Sequence, residues 1–377
     1  MFAVGMIRGR EGLQALELPE PVIEEPDDIL IRVKEVGLDG TDYNTVKTGA
    51  DFDAQKNSMV LGHEMTGIVE AVGSAVTRVK EGDLVSAAVR HGCGICHPCR
   101  ENQSDMCMTG LFTEHGIHKL DGYLTEKVVE KEQYVVKIPP EFSDMAVLTE
   151  PISIVEKGIQ QIRLIQSRMP WSCSHPEHSF DSPMWGGCKI VLVIGVGPLG
   201  LLATALCRLA GATVIAIDIV PPDHPKAELV KYMDAHYLNV KGMSAQEVMS
   251  QDILAGQRLD IVFEASGASP IAGELIMYMS RSSIYVMTGI PRKDFKINID
   301  AAQSFGQMVR YNQVLVGSVN SNRNHFLAAV ASMPEINRQY PDLARRIITN
   351  RFDLADFEKA FTGNDPAHIK TVIRVSG

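Results

Sequence analysis

Apolar and charged residues alternate over residues 29–36, the period of a strand that buries one face. Residues 67–72 and 84–89 are further apolar runs bounded by turn residues, and 131–140 reads as a strand closed by a double proline. Many short strands punctuated by glycine predict a compact, barrel-like β domain in the first 150 residues. The period then changes. Ile152, Val155, Ile159, Ile162 and Ile165 recur at helical spacing. Residues 166–187 lose periodicity and gather Pro170, Pro176 and Pro183, which predicts a loop or insertion. Beyond it, apolar runs at 190–194, 213–217, 261–264, 284–288 and 314–318 are separated by helical stretches, the pattern of a parallel sheet wrapped by helices. A last strand is expected at 370–375.

The segment 189–219 is almost continuously apolar and long enough to span a bilayer. Gly195, Gly197, Pro198, Gly200, Arg208 and Gly211 interrupt it, so strand, turn, helix and strand in a buried core is the better reading. Its glycines also carry chemistry. Gly195, Gly197 and Gly200 form G-x-G-x-x-G directly after a strand and at the opening of a helix, with Asp218 at the end of the next strand. In that context Gly195 makes the turn, Gly197 admits a pyrophosphate, and Gly200 lets helix and strand pack closely. Pro198 and Leu199 open the helix whose N-terminus would hold the phosphates. Asp218, followed by Ile219, can accept from ribose hydroxyls and would repel a 2′-phosphate, which favours NAD over NADP. Lys226 is the nearby cation that leaves NADP possible.

Composition narrows the class. The chain has 377 residues, 45% hydrophobic and 22% charged, as an ordinary globular protein of two domains does. A formal net charge of −10 argues against nucleic acid and anionic lipid as partners. No signal core is read at the N-terminus, and the cysteine pattern favours a reducing, cytoplasmic location. Four of the seven cysteines, Cys93, Cys96, Cys99 and Cys107, are spaced C-x2-C-x2-C-x7-C. Four thiolates at about 2.3 Å from one ion make a closed tetrahedral zinc site with no open position for a reaction. A buried or disulfide-bonded cluster is the alternative, and the metal reading is favoured by the tight spacing. Cys173, His175, His178 and Cys188 can be drawn as a second site, but their order matches no known spacing, so a surface loop is expected there.

Gly62-His63-Glu64 lies between β-like runs upstream of the cysteines. The order of Gly-His-Glu, four-cysteine lobe, G-x-G-x-x-G and return segment resembles the zinc-dependent medium-chain alcohol and polyol dehydrogenases over nearly the whole chain. Gly-Leu-Asp-Gly-Thr-Asp at 37–42, Gly-Ile-His-Lys-Leu-Asp-Gly-Tyr at 116–123, Glu-Pro-Ile-Ser-Ile-Val-Glu-Lys at 150–157 and Gly-Ser-Val-Asn-Ser-Asn at 317–322 are similar to the archaeal-type glucose (aldose) 1-dehydrogenases. The resemblance implies an α/β fold: a GroES-like, β-rich catalytic domain (1–185 and 320–377) and a Rossmann doubly wound parallel-sheet domain (186–319).

It also implies a catalytic zinc beside the structural one, held by Asp39, His63 and Glu150, with Glu64 able to ligate or to exchange with water. Relatives usually carry cysteine where this chain has Asp39, and an all N/O set is harder and more exchangeable. Asp42 resembles the carboxylate that orients the ligand histidine. Thr41 matches the hydroxyl that relays the alcohol proton. Glu114 and Asn320 match positions that hold sugar hydroxyls or position the ring. Val89 and Ile154 stand where some members have asparagine and aspartate, which predicts weaker discrimination among sugars. The expected activity is oxidation of an aldose at C1 to its lactone by NAD(P)+, in a homodimer or homotetramer. A sorbitol-, threonine- or secondary-alcohol dehydrogenase is the nearest alternative. A zinc-free quinone or enoyl reductase and a non-enzymatic nucleotide-binding protein are more distant ones.

Overall fold

The strand predicted at 29–36 runs from Asp28 to Leu38 in the computed structural model, which describes residues 1–267, 270–291, 296, 300–363 and 365–376. Ile29, Ile31 and Val33 are fully buried, so the alternation read from the sequence does place one face in the core. Glu64–Val72 pairs antiparallel along it, Lys127–Lys131 pairs with its first half, and Lys370–Arg374 pairs with its last residues. Outward from Glu64–Val72 come Leu84–Ala87 and Val135–Lys137; outward from Lys370–Arg374 comes Ile348–Asp353. The single strand expected at 131–140 is two, Lys127–Lys131 and Val135–Lys137, separated by a turn. This unit comprises Met1–Ser153, Asn320–Asn337 and Pro341–Gly377.

Register in this sheet decides where the chemistry falls. Gly37 lies opposite Glu64, and Leu38 opposite Thr371. Three strand ends therefore bring Asp39, His63–Glu64 and Lys370 to one edge. Gly37 has no side chain for a reason of space: a Cβ there would fall 2.0 Å from Glu64 Oε2 and 3.0 Å from Lys370 Cε.

The second unit, Ile154–Val319 with Arg338–Tyr340, holds a parallel sheet. Its order is His236–Asn239, Thr213–Asp218, Ile190–Ile194, Ile261–Glu264, Ile284–Met287, Val314–Gly317. The chain starts in the middle, winds to one edge, then returns to wind to the other, which is the Rossmann order with its switch point between Ile190–Ile194 and Ile261–Glu264. The edge strand His236–Asn239 was missed from the sequence because His, Tyr and Asn give it no apolar run.

The domain boundaries differ from the sequence reading at 154–185 and at Arg338–Tyr340. Residues 154–185, grouped there with the β domain, pack with the parallel sheet instead. Val155, Ile159 and Ile162 of the helix Thr149–Gln166 are buried, and Gly158 lies so close to Phe263 that a Cβ would sit 2.7 Å from its ring. Gly186 N–H also donates to Ala210 O at 2.9 Å. A change of period marks where a helix starts, and packing alone decides which core it joins. No described helix is long and apolar enough to cross a membrane.

Candidate functional site

Asp39 follows the strand Asp28–Leu38 and caps the helix Gly40–Thr48. Its Oδ1 accepts from Thr41 N–H (2.6 Å) and Asp42 N–H (3.4 Å), while Asp42 Oδ2 accepts in return from Asp39 N–H at 2.9 Å. The capping box fixes both carboxylates. Asp42, only 1% exposed, turns its other oxygen to His63 Nδ1 at 3.2 Å. His63 Nε2 then points to Asp39 Oδ1, 3.6 Å away. Thr41 Oγ1 donates to Asp39 Oδ2 at 3.3 Å.

His63 belongs to two groups whose ligating atoms all lie within 4.8 Å of one another: Asp39, Asp42 and His63, and His63, Glu64 and Glu150. The four expected ligands thus meet around His63, with Asp39 and Glu150 in different groups. Glu64 forms a buried ion pair with Lys370, whose ammonium also donates to Leu38 O at 3.3 Å. Sequence reasoning missed Lys370. The signal was present: a lysine opening a strand that continues Thr371, Val372, Ile373 is a charge at a core position, and such a charge needs a partner.

The electrostatics favour a cation. Burial pushes the Glu150 carboxyl up to about 8, and the neighbouring Glu64 adds to it. Glu64 is raised too, by burial first, with Lys370 pulling the other way. Burial opposes a charge on His63, yet Asp42 and Asp39 outweigh it and raise its pKa well above the ordinary value. A nitrogen and several carboxylate oxygens under mutual repulsion, with the histidine oriented from behind, suit a divalent ion.

Glu114 is 7% exposed, so it is no surface carboxylate. Arg90 Nε donates to it at 2.8 Å and the Asn320 amide donates to the same oxygen. Asn320 is in the left-handed region, φ +60°, which asparagine tolerates. Nearby, Asn322 donates to Gln103 Oε1 and Asp105 Oδ1, both at 2.8 Å. The return segment is thereby stitched to the cysteine lobe. Val89 is buried in a small apolar cluster with Ala88, Val136 and Phe326; Ile154 is half-buried.

Cys93, Cys96, Cys99 and Cys107 converge, their sulfurs all within 4.8 Å of one another and none in a disulfide. The helical turn His97–Arg100 and Gly92, where a Cβ would meet Cys99 Sγ at 2.6 Å, shape the cluster. Cys96 N–H points at Cys93 Sγ, 3.4 Å away. This donor set suits zinc.

In the parallel-sheet unit, Gly195 has φ +92° and Gly200 approaches so closely that a Cβ would be 1.8 Å from Gly195 O. Gly197, which caps the helix Pro198–Leu209, faces open space. Asp218 Oδ2 accepts from Val196 N–H (2.7 Å) and Oδ1 from Ile219 N–H (2.6 Å). It therefore braces the glycine loop, a role not read from the sequence. Half-buried Lys226, whose pKa is lowered by burial, feels the charge of Asp218. The loop fits a dinucleotide: a tight turn, a close helix and an unfilled approach over Gly197.

Residues 25–140 match the family described as alcohol dehydrogenase GroES-like domain, and residues 143–375 match glucose dehydrogenase C-terminus. The chain is 32% identical to glucose 1-dehydrogenase of Methanocella arvoryzae over 351 residues, 92% of each chain. It is 32% identical to that of Thermoproteus tenax over 376 residues, 97% of this chain and 96% of the other. Among solved structures, Haloferax mediterranei glucose dehydrogenase in complex with NADP, zinc and gluconolactone superposes with a TM-score of 0.86 at 28% identity, covering 100% of both chains.

Proposed function

We infer the activity from one premise: the chain belongs to the family defined by the alcohol dehydrogenase GroES-like domain and the glucose dehydrogenase C-terminus. It is an oxidoreductase that removes hydrogen from C1 of a glucose-like aldose, giving the aldonolactone and reduced NAD(P). The observation that carries this is the His63 imidazole, held through Nδ1 by Asp42 with Nε2 turned toward Asp39, among the carboxylates of Glu64 and Glu150.

Asp39, His63 and Glu150 hold a catalytic zinc, with Glu64 as an alternate ligand balanced by Lys370. Zinc held there would supply Lewis acidity at the sugar's C1 hydroxyl, and a nicotinamide held by the glycine loop would supply the hydride acceptor for C1. Thr41 would relay the hydroxyl proton, accepting it at Oγ1 while releasing the hydrogen that now points to Asp39 Oδ2. Glu114 and Asn320, locked to each other, present acceptors to the sugar, and Glu150 contacts it from the metal side. Gly195, Gly197, Pro198, Leu199 and Gly200 cradle the pyrophosphate; Asp218 and Ile219 receive the adenosine ribose. NAD is favoured by Asp218, and Lys226 accommodates NADP. Cys93, Cys96, Cys99 and Cys107 hold the structural zinc.

The protein assembles as a homodimer or homotetramer. Exposed apolar residues on the lobe (Ile95, Met108, Leu111) and on the helix Ala301–Tyr311 (Phe305, Val309) support that reading.

A matrix of aldoses and polyols against NAD+ and NADP+, with and without chelator, tests the activity. Lactone from aldoses, lost on chelation, is expected, with comparable rates on glucose, galactose and xylose because apolar Val89 and Ile154 remove two polar contacts. Turnover of sorbitol or threonine alone would favour the polyol-type alternative, and a rate indifferent to chelation of the catalytic metal would sink the zinc chemistry.

A further inference from the structure

Between the helix Thr149–Gln166 and the strand Ile190–Ile194 the chain makes a long excursion whose regular structure, among the described residues, is one helical turn, Pro176–His178. Trp171 is 78% exposed, and Trp185 is the large side chain the excursion buries. So little apolar burial does not hold a segment of this length in one conformation by itself. What converges in it is polar. Cys173 Sγ is 3.1 Å from His175 Nδ1, 3.5 Å from His178 Nδ1 and 3.4 Å from Cys188 Sγ. Cys188 Sγ is 3.0 Å from His178 Nδ1 and 3.3 Å from His175 Nδ1. All four ligating atoms lie within 4.8 Å of one another.

We propose that Cys173, His175, His178 and Cys188 bind a zinc ion of their own, a Cys2His2 site in the nucleotide-binding unit separate from the four-cysteine lobe and from the Asp39–His63 centre. With zinc about 2.3 Å from sulfur and about 2.0–2.1 Å from nitrogen, the edges of a tetrahedron are roughly 3.3–3.8 Å, close to the separations observed. A disulfide does not describe the pair. Its sulfurs would be bonded at about 2.05 Å, whereas Cys173 and Cys188 are both free. Both imidazoles turn the same nitrogen, Nδ1, to the common point, as ligands do.

The surroundings are shaped for that arrangement. A Cβ at Gly187 would fall 2.2 Å from His178 Nε2, so the ring occupies space that only glycine leaves free. Arg163 Nε donates to Phe180 O at 2.5 Å, anchoring the loop to the preceding helix. Cys188 stands two residues before the strand that leads into Gly195. A closed four-ligand site at that point ties the excursion to the entry of the nucleotide-binding sheet, and with no open position its role is structural. The spacing C-x-H-x2-H-x9-C follows no familiar order, which is why the sequence alone favoured a plain surface loop. The fold supplies the convergence that spacing does not announce.

Zinc content of purified wild-type protein and of the C173S/C188S and H175A/H178A variants tests the site. Each variant is expected to lose one zinc per chain relative to wild type, a difference that does not depend on the other two centres. Anomalous scattering at the zinc edge from wild-type crystals covers the case in which neither variant folds, with a peak expected among the four side chains. An unchanged zinc content in both folded variants overturns the proposal. So does an intact mass about 2 Da low from a Cys173–Cys188 disulfide with no anomalous peak.

Discussion

Asp42 decides which nitrogen of His63 is offered to a metal. Buried at the first turn of the helix Gly40–Thr48, it accepts from Nδ1 and so leaves Nε2 as the nitrogen that faces Asp39. An amide in its place can present its NH2 group to Nδ1 and stabilise the other tautomer. We expect Asp42→Asn to weaken zinc at the catalytic centre by about 10–100-fold, measured by competition with a chromogenic chelator, while zinc in the cysteine lobe is unaffected. The roles expected of Asp39, His63 and Asp42 rest on the resemblance carried by two short local strings, Gly-Leu-Asp-Gly-Thr-Asp at 37–42 and Gly-His-Glu at 62–64. Lys370 was not legible in that way. It lies more than 300 positions from its partner Glu64, and only the pairing of Lys370–Arg374 with Asp28–Leu38 makes them neighbours.

Elements were read most faithfully where burial imposes a period. Ile190–Ile194 and Ile261–Glu264 lie where apolar runs put them, because central parallel strands are covered on both faces. Strands held by polar networks left no such trace. The small sheet of Arg90–His91, Thr113–His115 and Lys119–Leu120 is organised around Glu130, a buried carboxylate from the strand Lys127–Lys131. His115 Nε2 (2.8 Å), His91 Nε2 (3.1 Å) and Tyr123 OH (3.1 Å) converge on it. Burial alone would raise the Glu130 pKa, but the charge and hydrogen bonds of His115 and His91 outweigh it and hold the carboxyl far below its ordinary value of 4.5. A carboxylate depressed in the folded state contributes stability that is complete above that ordinary value and is lost as the pH falls below it. Glu130→Gln should destabilise the protein by roughly 1–3 kcal/mol at neutral pH, since it disrupts a buried network in which His115, His91 and Tyr123 converge on one carboxylate. It should also flatten the acid limb of a stability profile, measured by urea denaturation from pH 7 down to pH 3. A mutant with the wild-type acid slope would show that other groups set it.

At the scale of the whole molecule, the cysteine lobe and the Asp39–His63 centre divide stability from turnover. The lobe's four thiolates leave an ion no vacant position, and its apolar residues Ile95, Met106, Met108 and Leu111 face outward, so its loss should be felt in stability and assembly. Cys96→Ser is expected to lower zinc content by one ion per chain and the melting temperature with it, and to shift the proposed dimer or tetramer toward smaller species in sedimentation. The complementary variant needs care, because Asp39 does two things. Its Oδ1 caps the helix Gly40–Thr48, so Asp39→Ala removes a cap worth about 1 kcal/mol along with the ligand, and it would not leave the fold untouched. Asp39→Asn keeps an oxygen for the Thr41 and Asp42 amides while giving up the charge. We expect it to melt within a few degrees of wild type and to lose about two orders of magnitude in kcat or more. It should also retain the lobe zinc and full NAD(H) binding by nucleotide fluorescence. If Asp39→Asn turned over normally, the metal ligands would have to be sought among His63, Glu64 and Glu150 alone. If Cys96→Ser lost kcat with stability intact, the lobe would no longer be a purely structural element.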